Sequence, residues 1–181
     1  MLARGLPIAD MAHAVALYES GALSDGRARV LLAGLAELDA MNPATFPWDP
    51  AAGDAFNSRE RALAQRIGAD AAGWLSAGRP RREAFRVALR VLCREGVIGL
   101  QSALVDLAEA HLDQAERHAD ALAADYTYLQ PAQPATVGHL VLAWAEPVLR
   151  DAERMNRAHA DLDLSVAGAG GTAGSAWPCL L

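Results

Sequence analysis

The sequence predicts an all-α protein, with short helices in its first part and two much longer ones after Pro80. Three observations point there. Ala and Leu dominate a chain that is 52% hydrophobic but only 6% aromatic, a composition that favours helix over sheet. Apolar residues recur at i+3/i+4 spacing over long stretches, as on one face of a helix. Prolines gather in a few places and leave long segments free of helix breakers.

Taken in order, residues 8–20 carry the first helical pattern. Ser24 is placed to cap a second helix that holds Val30, Leu31, Leu32, Leu35 and Leu38. MNPATFPWDPAAGD reads as a loop, because Pro43, Pro47 and Pro50 follow one another closely. Asn57 or Ser58 opens the next helix and Gly68 closes it. Pro80 suits a helical first turn, and no further proline appears until Pro131. Between them Leu104, Leu107, His111, Ala115, His118 and Leu122 keep the spacing of one helical face. About 40 residues at ~1.5 Å each make a rod of roughly 60 Å, with Gly96 and Gly99 as weak points.

The run DYTYLQPAQPATVGH, residues 125–139, then breaks the helical pattern. A second long helix is expected over residues 137–163, with Pro147 as a kink. Two helices of this kind bury little against each other, so each is expected to need further partners.

Composition narrows the function classes. A net charge of −6 and a pI near 5.3 leave no basic surface for nucleic acid. No apolar run reaches the roughly 18 residues that span a bilayer, and no charged-then-apolar leader opens the chain, so a cytoplasmic protein without a membrane partner is expected. Cys93 and Cys179 are too few for a disulfide framework or a zinc-type pair. His111 and His118 lie two helical turns apart, too far for one ion, so no metal is expected. The glycines between 168 and 174 lack the strand-then-helix setting of a dinucleotide fingerprint, and no cofactor is expected. All 16 basic residues are Arg.

Two stretches offer chemistry. In the first, Pro131 and Pro134 stiffen a loop that presents Thr127, Gln130 and Gln133, all neutral hydrogen-bonding groups suited to a polar substrate. The same glutamines also suit a helix-to-helix corner, where they would satisfy backbone groups. In the second, AGRPRREAFR sets Arg79, Arg81 and Arg82 at the start of the long helix. Three guanidinium groups there oppose the helix dipole, at a few tenths to about 1 kcal/mol each, and a bound anion would offset that. Screening by Glu83 and solvent is the alternative.

Read together, these segments resemble the argininosuccinate lyase and delta-crystallin branch of the fumarase/aspartase superfamily, from about residue 9 to residue 178. YTYLQPAQPATVGHLVLAWAEPVLRDAERM is similar to a block that begins Tyr-Thr-His-Leu-Gln-x-Ala-Gln-Pro in the family. AGWLSAGRPRREAFRVALR is similar to the block with His-Thr-(Ala/Gly)-Arg-Ser-Arg-Asn-Asp. DAFNSRERALAQRIG and the glycine-rich SVAGAGGTAG match two further family segments. The resemblance implies a small N-terminal helical domain over residues 1–78 and the first long helices of a central bundle over residues 79–181, tetramers whose active sites draw on three subunits, and β-elimination that splits a C–N bond to release fumarate. It implies no cofactor. Thr127, Gln130, Gln133, Arg79, Arg81 and Arg82 would contact a small dicarboxylate substrate, with Tyr128 at the position of the proton-carrying histidine.

The departures fall at polar positions. Tyr128 replaces that histidine, and an unperturbed phenol near pKa 10 exchanges protons poorly at neutral pH. Arg82 stands for the substrate-binding Asn, Ser76-Ala77 for the His-Thr pair, and Phe56 for a further histidine. The family's Gly-Ser-x-x-Met-Pro-x-Lys-x-Asn loop has no counterpart in this sequence. The expectations are therefore a lyase-like protein that is incomplete by itself, with a frameshift near residue 178 as one origin. A non-catalytic subunit that joins a full-length lyase through its long helices is the alternative.

Overall fold

A computed structural model describes residues 4–168 and residue 170. Helices α1 (Gly5–Glu19), α2 (Asp25–Asp39), α3 (Ala55–Ile67) and α4 (Ala69–Ala72) come first, with short 3-10 turns at Pro50–Ala52 and Gly73–Ser76. The long helix α5 (Arg81–Arg117) follows, then strands β1 (Leu122–Thr127) and β2 (Gln130–Thr136), and finally α6 (Val137–Leu162). The chain divides into two compact units, one running to Cys93 and resuming at Leu164, the other Arg94–Asp163.

The first unit builds a core from the leucines that the helical spacing aligns. Leu17 of α1, Leu31, Leu35 and Leu38 of α2, Leu63 of α3 and Leu75 are each almost fully excluded from water. Burying one such side chain contributes roughly 1.5–3 kcal/mol. Gly5 permits the closest approach in this unit, since a Cβ there would stand 2.5 Å from the Ala88 Cα.

Helix boundaries follow local chemistry. Ser24 occupies the N-cap of α2 in extended conformation, although its hydroxyl makes no capping bond. Helix α3 starts two residues before Asn57, because the Asp54 carboxylate accepts the Asn57 N–H at 3.0 Å. Gly68 ends α3 at φ 84°, a conformation glycine adopts without a Cβ penalty. Helix α5 begins directly after Pro80 and stays continuous through Gly96 and Gly99.

The second unit departs from the all-helical expectation at one point. Helix α5 stops at Arg117, and the stretch expected as a stiff loop is an antiparallel β-hairpin, Leu122–Thr127 pairing with Gln130–Thr136. Leu122, expected on the face of the long helix, therefore begins β1 and is largely exposed. The ladder of backbone hydrogen bonds outweighs the helical propensity of the Ala-rich residues before it.

Pro131 and Pro134 fit the hairpin because a two-stranded sheet has only edge strands, where a missing N–H is tolerated. Helix α6 starts at once, with the Thr136 hydroxyl accepting the His139 N–H at 3.2 Å, and runs on through Pro147. Gly138 lets it close onto the end of α5: a Cβ there would collide with the Ala115 carbonyl and come within 2.8 Å of the Ala119 Cα. Among the described residues no helix is long and apolar enough to cross a membrane.

Candidate functional site

The groups singled out by the sequence fall into two separate constellations, one in each unit. In the second unit, Thr127 ends β1, Gln130 opens β2, and Tyr128 and Leu129 form the two-residue turn between them. Both turn residues have positive φ, 49° and 61°. Two-residue hairpin turns of this hand favour Asn-Gly, since a side chain at positive φ is strained by roughly 1–3 kcal/mol per residue. Here Tyr128 is 96% exposed and Leu129 90%, so burial within this chain does not offset that strain.

The strand alternation of side chains, together with the sharp turn, leaves Thr127, Tyr128, Gln130 and Gln133 all exposed. None of their side chains makes a hydrogen bond among the described residues. The hairpin thus offers two amides, a threonine hydroxyl and a phenol to whatever lies beyond its own fold.

In the first unit, the three arginines have different fates. Arg79 is buried, and its Nη2 donates to Asp10 Oδ1 at 2.8 Å while its Nη1 donates to the Ala9 carbonyl at 2.8 Å. Asp10, fully buried on α1, also accepts from Arg59 Nε at 3.2 Å. The Arg79 guanidinium lies 5.7 Å from the Phe56 ring centroid, a cation–π contact. Arg81, half exposed, pairs with the Asp54 carboxylate at 2.9 Å. Arg82 is exposed in the first turn of α5 and has no ion pair among the described residues. Of the three, Arg82 is the one whose charge is left open to an external anion.

Two further buried polar residues belong to this unit, His13 and Glu83. His13 Nε2 lies 3.0 Å from the Ala77 carbonyl. Burial, and secondarily the Arg79 charge, lower its pKa from 6.5 to about 4, so it is neutral near pH 7. The buried Glu83 carboxylate accepts the Gly168 N–H at 3.3 Å and the Gly170 N–H at 2.6 Å. The sequence did not single out Asp10, His13 or Arg59, because one buried acid 49 and 69 residues from its two arginines leaves no local spacing to read. Most of the glycine-rich stretch, and Cys179, lie outside the described residues. No group of three potential metal ligands occurs among the described residues.

Comparison with known proteins agrees with this architecture. A family model described as "Lyase" matches residues 7–178. The argininosuccinate lyase of Nocardia farcinica is 38% identical over 169 residues, covering 92% of this chain and 36% of that protein. The argininosuccinate lyase of Kineococcus radiotolerans is 39% identical over 166 residues, covering 91% of this chain and 34% of that protein. Among solved structures, EDDS lyase in complex with formate superposes with a TM-score of 0.88 at 30% identity, over 99% of this chain and 35% of that one. A fumarate lyase from Mesorhizobium sp. BNC1 shares the fold, with a TM-score of 0.84 at 18% identity over 98% of this chain and 43% of that one. The chain spans about a third of the length of the curated relatives it matches. It belongs to the lyase family that these argininosuccinate lyases represent, within the fumarase/aspartase superfamily.

Proposed function

We propose that this protein serves a carbon–nitrogen lyase of the argininosuccinate type, contributing substrate-contacting groups to a site that other polypeptide completes. The reaction would be β-elimination from a dicarboxylate-bearing substrate, with fumarate as one product. The observation that carries this reading is the hairpin. Thr127 and Gln130 stand exposed on either side of a strained, exposed turn, with no partner among the described residues. Strain without local compensation is expected where a second surface supplies the compensation. Association through α5 and α6, with copies of itself or with a full-length lyase, would bring that surface. Exposed Ile98, Leu107, Leu142 and Trp144 favour such an association. The protein would work in the cytoplasm and without a cofactor.

The test is fumarate release from argininosuccinate, followed by ultraviolet absorbance, for the chain alone and for its complex with a co-expressed argininosuccinate lyase. The expected result is negligible turnover alone, and a complex whose KM rises at least tenfold when this chain carries Gln130→Ala. Full turnover by an isolated monomer, or a complex indifferent to Gln130→Ala, would contradict the proposal.

A second reading, a non-catalytic subunit, is favoured by Tyr128. Where the family carries a proton-transferring imidazole, this chain presents a phenol at the turn. Restoring the imidazole with Tyr128→His separates the two. A gain in turnover of the complex supports a site weakened by substitution, whereas no gain supports a purely structural role.

A further inference from the structure

The base of the hairpin holds a groove that shares Gln133 with the lyase reading but whose other lining groups that reading leaves unused. Its cavity is about 430 Å³, within the range of small-molecule sites, with Leu122 and Pro134 among its apolar walls and Asp125, Gln133, Thr136 and His139 as its polar groups. The strand register explains how these groups meet. Ala124 pairs with Pro134 and Tyr126 with Pro131, so Ala132 and Gln133 together face the single residue Asp125. The bulge sets Gln133 opposite Asp125, and Gln133, Pro134, Ala135 and Thr136 line the groove in succession along β2.

The chemistry of the lining selects a ligand class. Asp125 is half-buried and one of its oxygens accepts the Tyr126 N–H at 2.8 Å, but it has no ion pair among the described residues. Gln133 and the His139 ring make no side-chain hydrogen bond there. The backbone N–H groups at the start of α6, which borders the groove, are already engaged within the fold. The Val137 N–H donates to the Ala121 carbonyl at 2.8 Å and the Gly138 N–H to the His118 carbonyl at 2.9 Å, while Thr136 takes the His139 N–H. Asp125 is the one carboxylate of the lining, and the Gln133 amide carbonyl can accept a further hydrogen bond beside it.

We propose that this groove binds a small organic cation bearing N–H donors, a primary ammonium or a guanidinium group, with Asp125 as its counter-ion. Charge-assisted bonds to a carboxylate are the strongest available here, and Gln133 and His139 would take the remaining N–H groups. The site does not depend on lyase chemistry.

Titration of the full chain with methylguanidinium, methylammonium and tetramethylammonium chlorides, followed by amide NMR, tests it without any turnover. The first two are expected to give saturable shifts at Asp125, Tyr126 and His139, and the third, which lacks N–H donors, none. Asp125→Asn keeps an oxygen for the Tyr126 N–H but removes the charge, and is expected to weaken binding at least tenfold. Gln133→Ala is expected to weaken it several-fold and decides the matter if Asp125→Asn unfolds the hairpin. Absence of saturable shifts, an equal response to tetramethylammonium, or unchanged affinity in the folded variants would overturn the proposal.

Discussion

The two compact units of this chain bury their large apolar residues to different extents. Up to Cys93, the leucines of α1, α2 and α3 close around one another, and the fully buried Asp10 meets two arginines. From Arg94 to Asp163, residues of the same types line α5 and α6 but stay at the surface: Ile98, Leu100, Leu107, Leu112, Leu142 and Trp144 are all more than 40% exposed. The difference teaches that helical periodicity reports where an apolar face lies, not whether its own chain covers it. A helix of 37 residues has more face than one neighbour can bury.

That contrast can be broken most sharply at Asp10. Replacing it by Ala leaves Arg59 and Arg79 buried without their carboxylate, and should destabilise the first unit by about 3–5 kcal/mol in urea denaturation. A loss near zero would mean that the network is solvated rather than dry.

Truncating a core leucine comes next. Leu31→Ala, at a fully buried position, should lose about 2–5 kcal/mol, whereas Leu107→Ala, measured on dilute protein, should stay within roughly 0.5 kcal/mol. Equal losses would erase the distinction between the units.

The pH dependence sharpens the picture of the first unit. The folded pKa of His13 is about 4, below its unfolded value of 6.5, so the unfolded state binds more protons between those limits. Stability should therefore fall as pH drops from about 6.5 to about 4, by at most about 3 kcal/mol from this group, with no further loss below. Denaturation midpoints across that range, compared with His13→Gln, isolate the contribution.

The smallest effect is at the hairpin. Leu129→Gly relieves a side chain at φ 61° and should stabilise β1–β2 by about 1 kcal/mol, seen as slower amide exchange in that hairpin. No change would remove the argument that the turn is strained.

Much of this architecture was legible in the sequence, and the failures have physical causes. Pro80, Gly68 and the proline-rich loop marked helix limits correctly, because each acts through local backbone geometry. Asp54, three residues before Asn57, capped that helix instead, as a short acidic side chain can. The hairpin was read only as a non-helical break, since Tyr-Leu is a poor turn signal and a strand carrying two prolines argues against itself. The prolines beside them single out Thr127, Gln130 and Gln133 in the sequence, the family resemblance adds Tyr128, and all four lie on that hairpin. Asp125 and His139 share a groove only in the folded chain, because one lies on β1 and the other on α6.

The central claim is that residues 94–163 rely on association for what the first unit achieves alone. Hydrogen exchange across a concentration series tests it most directly. In dilute solution the amides of α6 and the hairpin should exchange markedly faster than those of α1–α3, and should gain protection on self-association or on adding an argininosuccinate lyase. Equal protection of both regions in a dilute monomer, unchanged by concentration or partner, would contradict the account.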